Sequence, residues 1–174
     1  MVILRDMIES DIDDYVRWFT TCTEWSNWDA PWEVINPKDD ERKLWTDYYK
    51  NVKDLGEKVE RTKFEIEVDG IHIGWVSAYY DLEYVENSDR IIAVGIDIPD
   101  ETYRNKGYGT TSLIKFVDYL RKFNHDKFFI QTWSGNIPMI KVIQKLGFTE
   151  YCRKKDLRLV NDKFYDAITF IKTF

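Results

Sequence analysis

A Gly-x-Gly pair between a strand pattern and a helix pattern constrains this chain most. The stretch RNKGYGTTSLIKF contains Arg104, Lys106, Gly107 and Gly109 and runs directly into an amphipathic pattern. Glycine lets a ligand approach the main chain closely, and the first N–H groups of a helix lack internal partners and lie at the positive end of its dipole. With two cations beside them, these residues predict an anion site. The alternative is a glycine turn that only starts a helix.

Composition predicts one soluble globular domain over residues 1–174, because 44% of the residues are hydrophobic and 32% are charged. The net charge of -6 disfavours nonspecific binding to nucleic acid or to an anionic membrane, and it leaves room for a cationic substrate. The two cysteines and the two histidines show no metal-ligand spacing, so we expect no metal site. The N-terminus, MVILRDMIESD, meets charge too early for a signal peptide, and the chain has no apolar run of membrane length; we therefore expect a cytoplasmic protein.

The hydrophobic periodicity predicts a mixed order of strands and helices. A first strand (VILR) precedes a helix capped by Ser10 or Asp11, and residues 21–40 are expected to form a long loop or broken helices. The later elements are a helix over about 39–54, a hairpin joined by Asp69-Gly70, a strand RIIAVGIDI, a helix over about 108–124, a strand KFFIQTW, a helix IPMIKVIQKLG and a closing hairpin. This order predicts a sheet with helices on both faces, not a repeated barrel.

Three kinds of phosphate loop place glycines after a strand. A Walker loop is excluded because Lys106 precedes Gly107, and a Rossmann fingerprint is excluded because Ser112 stands where its third glycine belongs. The pattern Arg-x-x-Gly-x-Gly resembles the acyl-CoA pyrophosphate loop of the GNAT superfamily of N-acetyltransferases. The stretches IAVGIDIPDETY and NIPMIKVIQKLGFTEY are similar to its central strand and its Asn…Leu-Gly-Phe signature, and the two chain ends resemble its RimJ/RimL-like branch. The resemblance covers nearly the whole chain.

This resemblance implies an α/β (α+β) fold with a mixed, mostly antiparallel central sheet, splayed central strands and acetyl-CoA as the acyl donor. It implies that the pantetheine arm adds to the central strand at Gly95, Ile96, Asp97 and Ile98. The pyrophosphate is expected over Arg104, Asn105, Lys106, Gly107, Tyr108, Gly109 and Thr110, and Asn136 matches the residue that meets the far end of the cofactor arm.

Acetyl transfer to a primary amine by direct attack in a ternary complex needs a proton acceptor, an oxyanion donor and an acid for the thiolate. Asp97 on the central strand is the first candidate for the proton acceptor and Glu83 the second; the alternative for Asp97 is a carboxylate in a hydrogen-bond network or facing solvent. Many GNAT members carry a Tyr four residues before the Gly of Leu-Gly-Phe, where this chain has Ile143. Ser134 is a candidate acid, its alternative being a turn hydroxyl, and the acid stays unassigned.

The acceptor is expected against the first two helices and the loop TEWSNWDAPWE. Rings and carboxylates both favour an ammonium group, so the candidates are a polyamine, an aminoglycoside or a peptide N-terminus; the alternative is that the Trp residues pack onto the core. The residues of this site are Trp25, Trp28, Asp29, Trp32 and Glu33. The competing interpretation is a domain that binds acyl-CoA as a sensor without turnover, and the resemblance also allows a homodimer.

Overall fold

The fold consists of one seven-stranded sheet with helices on both faces, as a computed structural model shows it for residues 1–33, 40–82, 85 and 91–174. The strand order is β1-β2-β3-β4-β5-β7-β6, and only β4 and β5 pair in parallel within these residues. The elements in chain order are β1 (Val2–Arg5), α1 (Asp11–Thr20), α2 (Ser26–Asp29), α3 (Glu41–Val52), β2 (Lys63–Val68), β3 (Ile71–Tyr79), β4 (Ile92–Asp97), α4 (Tyr108–Arg121), β5 (Lys127–Trp133), α5 (Ile137–Lys145), β6 (Thr149–Val160) and β7 (Lys163–Thr173).

The predicted order of elements is confirmed. The Asp69-Gly70 turn between β2 and β3 has φ values of 52° and 81°, and both are positive as a type I′ turn requires. The predicted broken helices of residues 21–40 include the short α2, and residues 34–39 lie outside the described part of the chain. The helix expected over 108–124 ends at Arg121, and Asn124 adopts a left-handed φ of 67°.

Two apolar layers cover the sheet, one on each face. On one face, α4 and α5 bury side chains such as Leu113, Phe116 and Ile143 against the inward residues of β2 to β5. On the other face, α1 and α3 enclose an aromatic cluster around Tyr15 and Trp18. Apolar burial of this extent on both faces is the main source of stability for such a layered fold.

Helix α1 is attached to the sheet by charged groups that are removed from solvent. Arg5 forms a two-pronged ion pair with the buried Asp11 carboxylate, with N–O distances of 2.6 and 2.8 Å. His72 on β3 pairs through Nδ1 with Asp14 and through Nε2 with Glu65, each at 3.0 Å. The Tyr15 hydroxyl donates to the same Glu65 carboxylate at 2.6 Å. These bonds fix the position of α1 over β2 and β3.

The central strands separate after two residue pairs. β4 pairs with β5 only at Ile92–Phe128 and Ala93–Phe129, whereas its other edge pairs with β3 as far as Asp97. Within the described residues, the edge of β4 that faces β5 is therefore unpaired after Ala93. The predicted splaying of the central strands is confirmed.

Gly74 allows β3 to approach β4 closely at the end of the paired region. A β-carbon at Gly74 would lie 2.0 Å from the Asp97 carbonyl oxygen, and the next residue, Trp75, pairs with Asp97. The backbone position of Asp97 thus depends on the absence of a side chain at residue 74.

We expect Gly74→Ala to lower the free energy of unfolding by about 1–3 kcal/mol, because the added methyl group overpacks against backbone that cannot move freely. Chemical denaturation of the variant measures this loss. Gly56→Ala is the control, since a β-carbon at Gly56 meets no atom within 4 Å. Equal stability of the two variants would contradict the close-approach argument.

Stability should also fall as His72 loses its proton. Burial alone lowers the pKa of His72, but its hydrogen bonds to Asp14 and Glu65 outweigh burial and raise the pKa from 6.5 to about 9. The stabilisation is therefore complete below about pH 6.5 and is lost as the pH rises through 9, and it is on the order of 3 kcal/mol.

Denaturation curves between pH 6 and pH 10 measure this slope. His72→Gln should remove the fall in stability that His72 contributes between pH 6.5 and 9, and the opposite contribution of Lys63 should then show as a rise above pH 8; His125→Gln, the matched control with the other histidine, should follow the wild type. A wild-type slope unchanged in His72→Gln would show that other groups cause it.

Candidate active site

The start of α4 lies beside the unpaired edge of β4. Gly107 caps this helix in a left-handed conformation (φ 83°), and a β-carbon there would meet no atom within 4 Å, so the backbone is open to a ligand. A β-carbon at Gly109 would instead lie 3.5 Å from Ile96 and 3.7 Å from Ile98, which shows that the helix start packs directly on the end of β4. The first turn of α4, whose first N–H groups have no partner within the helix, therefore lies next to the end of β4.

Arg104 is held at the carboxyl end of β4. Its Nε donates to the Ile98 carbonyl at 2.8 Å, and a terminal nitrogen donates to the Pro99 carbonyl at 2.7 Å. Burial lowers the pKa of Arg104, although a guanidinium stays charged at any physiological pH. A fixed positive charge thus lies beside the helix start, and Lys106 follows in an exposed position.

Asp97 lies in an electrostatic cluster on the α1 side of the sheet. Burial raises the pKa of Asp97 well above its usual range, and the negative charge of Asp29 adds to the effect. Lys63 and Arg104 act in the opposite direction. The structure thereby brings together Asp97 and Asp29, the two carboxylates that the sequence analysis assigns to catalysis and to acceptor binding.

Asp29 and Tyr79 complete this cluster. Partial burial raises the pKa of Asp29, and the negative charge of Glu33 raises it further. The Asp29 side chain nevertheless keeps an exposed face. Burial raises the pKa of Tyr79 to about 12, with further contributions from Asp29 and Asp97, so the phenol stays protonated at neutral pH. Sequence analysis missed Tyr79. The strand register identifies it, because Tyr79 pairs with Ala93, the residue at which β4 separates from β5.

Asn136 joins α2 to α5. Its side-chain oxygen accepts from the Met139 N–H at 3.1 Å and so caps α5, and its Nδ2 donates to the Trp28 carbonyl at 2.7 Å. The Trp133 indole donates to the same carbonyl at 2.9 Å. The Asn136 side chain, which is predicted to meet the cofactor arm, thus already forms hydrogen bonds to α5 and to α2.

The predicted acceptor residues occupy three different environments. Trp25 is buried in the aromatic cluster and donates to the Trp18 carbonyl at 3.0 Å. Trp28 is 45% exposed. Trp32 lies with its ring centroid 4.5 Å from the Arg158 guanidinium carbon, so a cation of the protein itself contacts this ring.

The candidate acid Ser134, the position Ile143 and the second candidate proton acceptor Glu83 differ in what surrounds them. The Ser134 hydroxyl accepts from the Asp166 N–H at 3.0 Å and keeps its own hydrogen available for donation. Ile143, in α5, is fully buried in the apolar layer between α4, α5 and the sheet. Glu83 lies outside the described residues.

Within the described residues, Asp11, Asp14 and His72 place ligand atoms within 4.8 Å of one another. Both imidazole nitrogens already face carboxylates, and with a pKa of about 9 the ring is protonated at neutral pH. A protonated imidazole has no free lone pair for a metal ion. The geometry of this group is that of a buried ion-pair network.

Lys63 on β2 was not singled out by sequence analysis. Its Nζ lies 4.1 Å from the ring centroid of Tyr15, 4.5 Å from that of Trp45, 5.1 Å from that of Trp75 and 5.2 Å from that of Tyr48. We refer to these four rings as the aromatic cage. Burial lowers the pKa of Lys63 to about 8, against the opposing charges of Glu65 and Asp97.

A mixed sheet that opens between two parallel central strands, with a glycine-capped helix start at the opening, defines an acyl-CoA-dependent acyltransferase fold. The family described as "Acetyltransferase (GNAT) domain" matches residues 1–149. The chain belongs to the GNAT acetyltransferase family, whose members use acetyl-CoA. It is an N-acetyltransferase.

Solved structures share this fold at low sequence identity. Ribosomal-protein-S5-alanine acetyltransferase from Vibrio fischeri has a TM-score of 0.75 at 20% identity, covering 99% of this chain and 92% of that chain. Ribosomal-protein-alanine N-acetyltransferase from Brucella melitensis has a TM-score of 0.73 at 16% identity, covering 99% of both chains.

Spermidine N-acetyltransferase from Vibrio cholerae, solved with CoA and spermine, has a TM-score of 0.72 at 18% identity, covering 99% of this chain and 95% of that chain. A search among curated proteins finds no significant match. None of the helices in the described part of the chain has the length and apolar character needed to cross a membrane.

We expect Asn136→Ala to destabilise the protein by about 1–2 kcal/mol, because it removes both a helix cap and a hydrogen bond to Trp28. Asn136→Ser is the matched variant, since serine caps a helix equally well but is too short to reach the Trp28 carbonyl. Thermal unfolding should rank wild type above Ser and Ser above Ala. Wild-type stability of Asn136→Ala would contradict the bridging role.

Proposed function

We propose that the protein transfers the acetyl group of acetyl-CoA to a primary amine, on a small molecule or at a peptide N-terminus, by direct attack in a ternary complex. The observation that carries this proposal is the edge of β4 that has no partner strand after Ala93 among the described residues; a helix start and Arg104 lie at its end, and the Asp97 carboxylate lies on the opposite side of the sheet. Donor and acceptor would then approach the same strand from two sides.

The residues beside the strand edge fit an acyl-CoA. Main-chain groups from Gly95 to Ile98 would pair with the amides of its pantetheine arm, as an added strand does. The diphosphate would lie over residues 104–110, where unpartnered N–H groups and the cations Arg104 and Lys106 favour negative charge. Open space around Gly107 leaves room for phosphate oxygens. Bound acetyl-CoA supplies an activated thioester.

Asp97 is assigned as the proton acceptor for the attacking amine. Its raised pKa brings the carboxyl group closer to the pH at which it must accept and release a proton, which is the condition for efficient general base catalysis. Asp29, also with a raised pKa, would hold the ammonium form of the acceptor beside it. Backbone N–H groups of β4 would stabilise the negative charge that develops on the thioester oxygen.

Two hydroxyl groups could return a proton to the leaving thiolate. Tyr79 carries a protonated phenol in the cluster with Asp97. The Ser134 hydroxyl oxygen accepts a hydrogen bond from the Asp166 N–H, and its hydrogen can be donated. Comparing kcat in Tyr79→Phe and Ser134→Ala assigns the donor, because loss of the acting group lowers kcat while KM for acetyl-CoA is unchanged.

The test is thiol release from acetyl-CoA with a panel of amines that includes spermidine and peptides with an N-terminal alanine. We expect release that depends on one class of amine, and Asp97→Asn should lower kcat/KM on the order of a hundredfold because it removes the base. Arg104→Glu should raise KM for acetyl-CoA by about tenfold or more, since it reverses a charge at the diphosphate.

Lys122→Glu is the matched control, because it reverses a charge at the far end of the same helix. Binding of acetyl-CoA without release on any amine would overturn the proposed transfer. Equal effects of Arg104→Glu and Lys122→Glu would overturn the assigned diphosphate site.

A further inference from the structure

Lys63 occupies an unusual environment for a lysine side chain. Its Nζ lies within 5.2 Å of the ring centroids of all four residues of the aromatic cage, and its side chain is half-buried. The cage draws its rings from α1, α3 and β3, so the Lys63 amine lies between the first helices and the sheet. This is also the region in which the acceptor amine is proposed to bind.

The amine of Lys63 has no hydrogen-bond acceptor among the residues that the structure describes. By contrast, Lys115 donates to the Val2 carbonyl at 2.8 Å and Lys172 donates to the Leu146 carbonyl at 2.7 Å. Burial lowers the pKa of Lys63 to about 8, so a far larger fraction is uncharged at neutral pH than for an exposed lysine. The rings of the cage favour the ammonium form, whereas burial favours the uncharged form, and the uncharged amine of a desolvated lysine is the activated nucleophile.

Strand register places Lys63 on the catalytic face of the sheet. Lys63 pairs with Ser77, and Ser77 pairs with Gly95 on β4, so these residues share a face with Asp97. Two strand spacings of about 4.8 Å put the Lys63 backbone roughly 10 Å from β4. The Lys63 side chain spans part of that distance. The charge of Asp97 raises the pKa of Lys63, and the charge of Lys63 lowers the pKa of Asp97, so the two groups lie within electrostatic range of each other.

We propose that Lys63 is a self-acetylation site, at which the protein modifies its own amine when acetyl-CoA is bound and no external acceptor fills the cleft. This inference rests on the proposed acetyl transfer. It adds an internal acceptor that competes with the external amine for the same thioester.

The reaction needs no further reagent. The ammonium of Lys63 gives a proton to the Asp97 carboxylate, and the freed lone pair forms a bond between Nζ and the acetyl carbonyl carbon. The bond between that carbon and sulfur breaks, its electron pair leaves with the thiolate, and the second proton of the attacking nitrogen is released as the amide forms. The products are Nε-acetyl-lysine and the protonated thiol of CoA, and no group is oxidised or reduced.

Acetylation would change the cluster around Asp97. Lys63 is one of the two cations that lower the pKa of Asp97, and an amide carries no charge. The Asp97 carboxyl group would then stay protonated to a higher pH and would accept a proton from an external amine less readily. The modified protein is therefore expected to be a slower acetyltransferase.

The experiment incubates the full chain with acetyl-CoA alone and locates acetyl groups by intact-mass and peptide mass spectrometry. We expect one acetyl group at Lys63, formed at a rate independent of protein concentration and at least about tenfold faster than at the exposed Lys50. Lys63→Arg should abolish this label, Lys50→Arg should leave it unchanged, and Arg104→Glu should slow it. An external amine that the enzyme uses should also slow it.

Labelling spread evenly over exposed lysines, or labelling of Lys63 at an unchanged rate in Arg104→Glu, would overturn the inference, because either result indicates direct chemical acetylation. Turnover of an external amine without label at Lys63 would overturn the self-acetylation and leave the proposed function intact. Absence of acetyl-CoA binding, measured by calorimetry on the same sample, would overturn both.

Discussion

The separation of β4 from β5 after Ala93 is the feature on which the rest of the structure depends. A strand inside a sheet normally pairs along both edges, and unpaired main-chain groups removed from water are costly. Here β3 pairs with one edge of β4 as far as Asp97, and the other edge is left without a strand in the described residues. The close approach at Gly74 and the packing of Gly109 on Ile96 hold that open edge in place.

The face of the sheet opposite α4 is dominated by a balance of charges in a poorly solvated space. The charge of Asp29 raises the pKa of Asp97 and the charge of Glu33 raises the pKa of Asp29, while Lys63 and Arg104 lower the pKa of Asp97. Burial makes the Lys63 amine easier to deprotonate, whereas the aromatic rings around it favour its charged form. Because every member of the group depends on the charge of another, their protonation states belong to the cluster and not to single residues.

Elements whose signals are local in the chain could be predicted from sequence. The Asp69-Gly70 turn requires positive φ at two adjacent residues, and Gly107 has the left-handed conformation that its place before a helix suggests. The splayed strands followed from the family resemblance, since no residue of KFFIQTW by itself signals where pairing stops. The assigned roles of Asp97 and Ser134 stay predictions.

The aromatic cage could not be predicted in the same way. Tyr15, Trp45, Tyr48 and Trp75 come from three elements, and periodicity indicates only that each ring faces the interior. Which rings surround Lys63 depends on the tertiary packing of α1 and α3 on β3. Likewise, a sequence motif identifies Asn136 but not the carbonyl of Trp28, 108 residues away, that its amide binds.

That Asn136 contact has a thermodynamic consequence. One amide caps α5, on the proposed donor side, and binds the Trp28 carbonyl of α2, the helix that carries Asp29 on the proposed acceptor side. With donor and acceptor placed as proposed, a ligand that shifts either partner changes the free energy of the other, and the affinities for the two substrates are then linked. Such linkage is reciprocal: if the bound donor changes the affinity for the acceptor by some factor, the bound acceptor changes the affinity for the donor by the same factor.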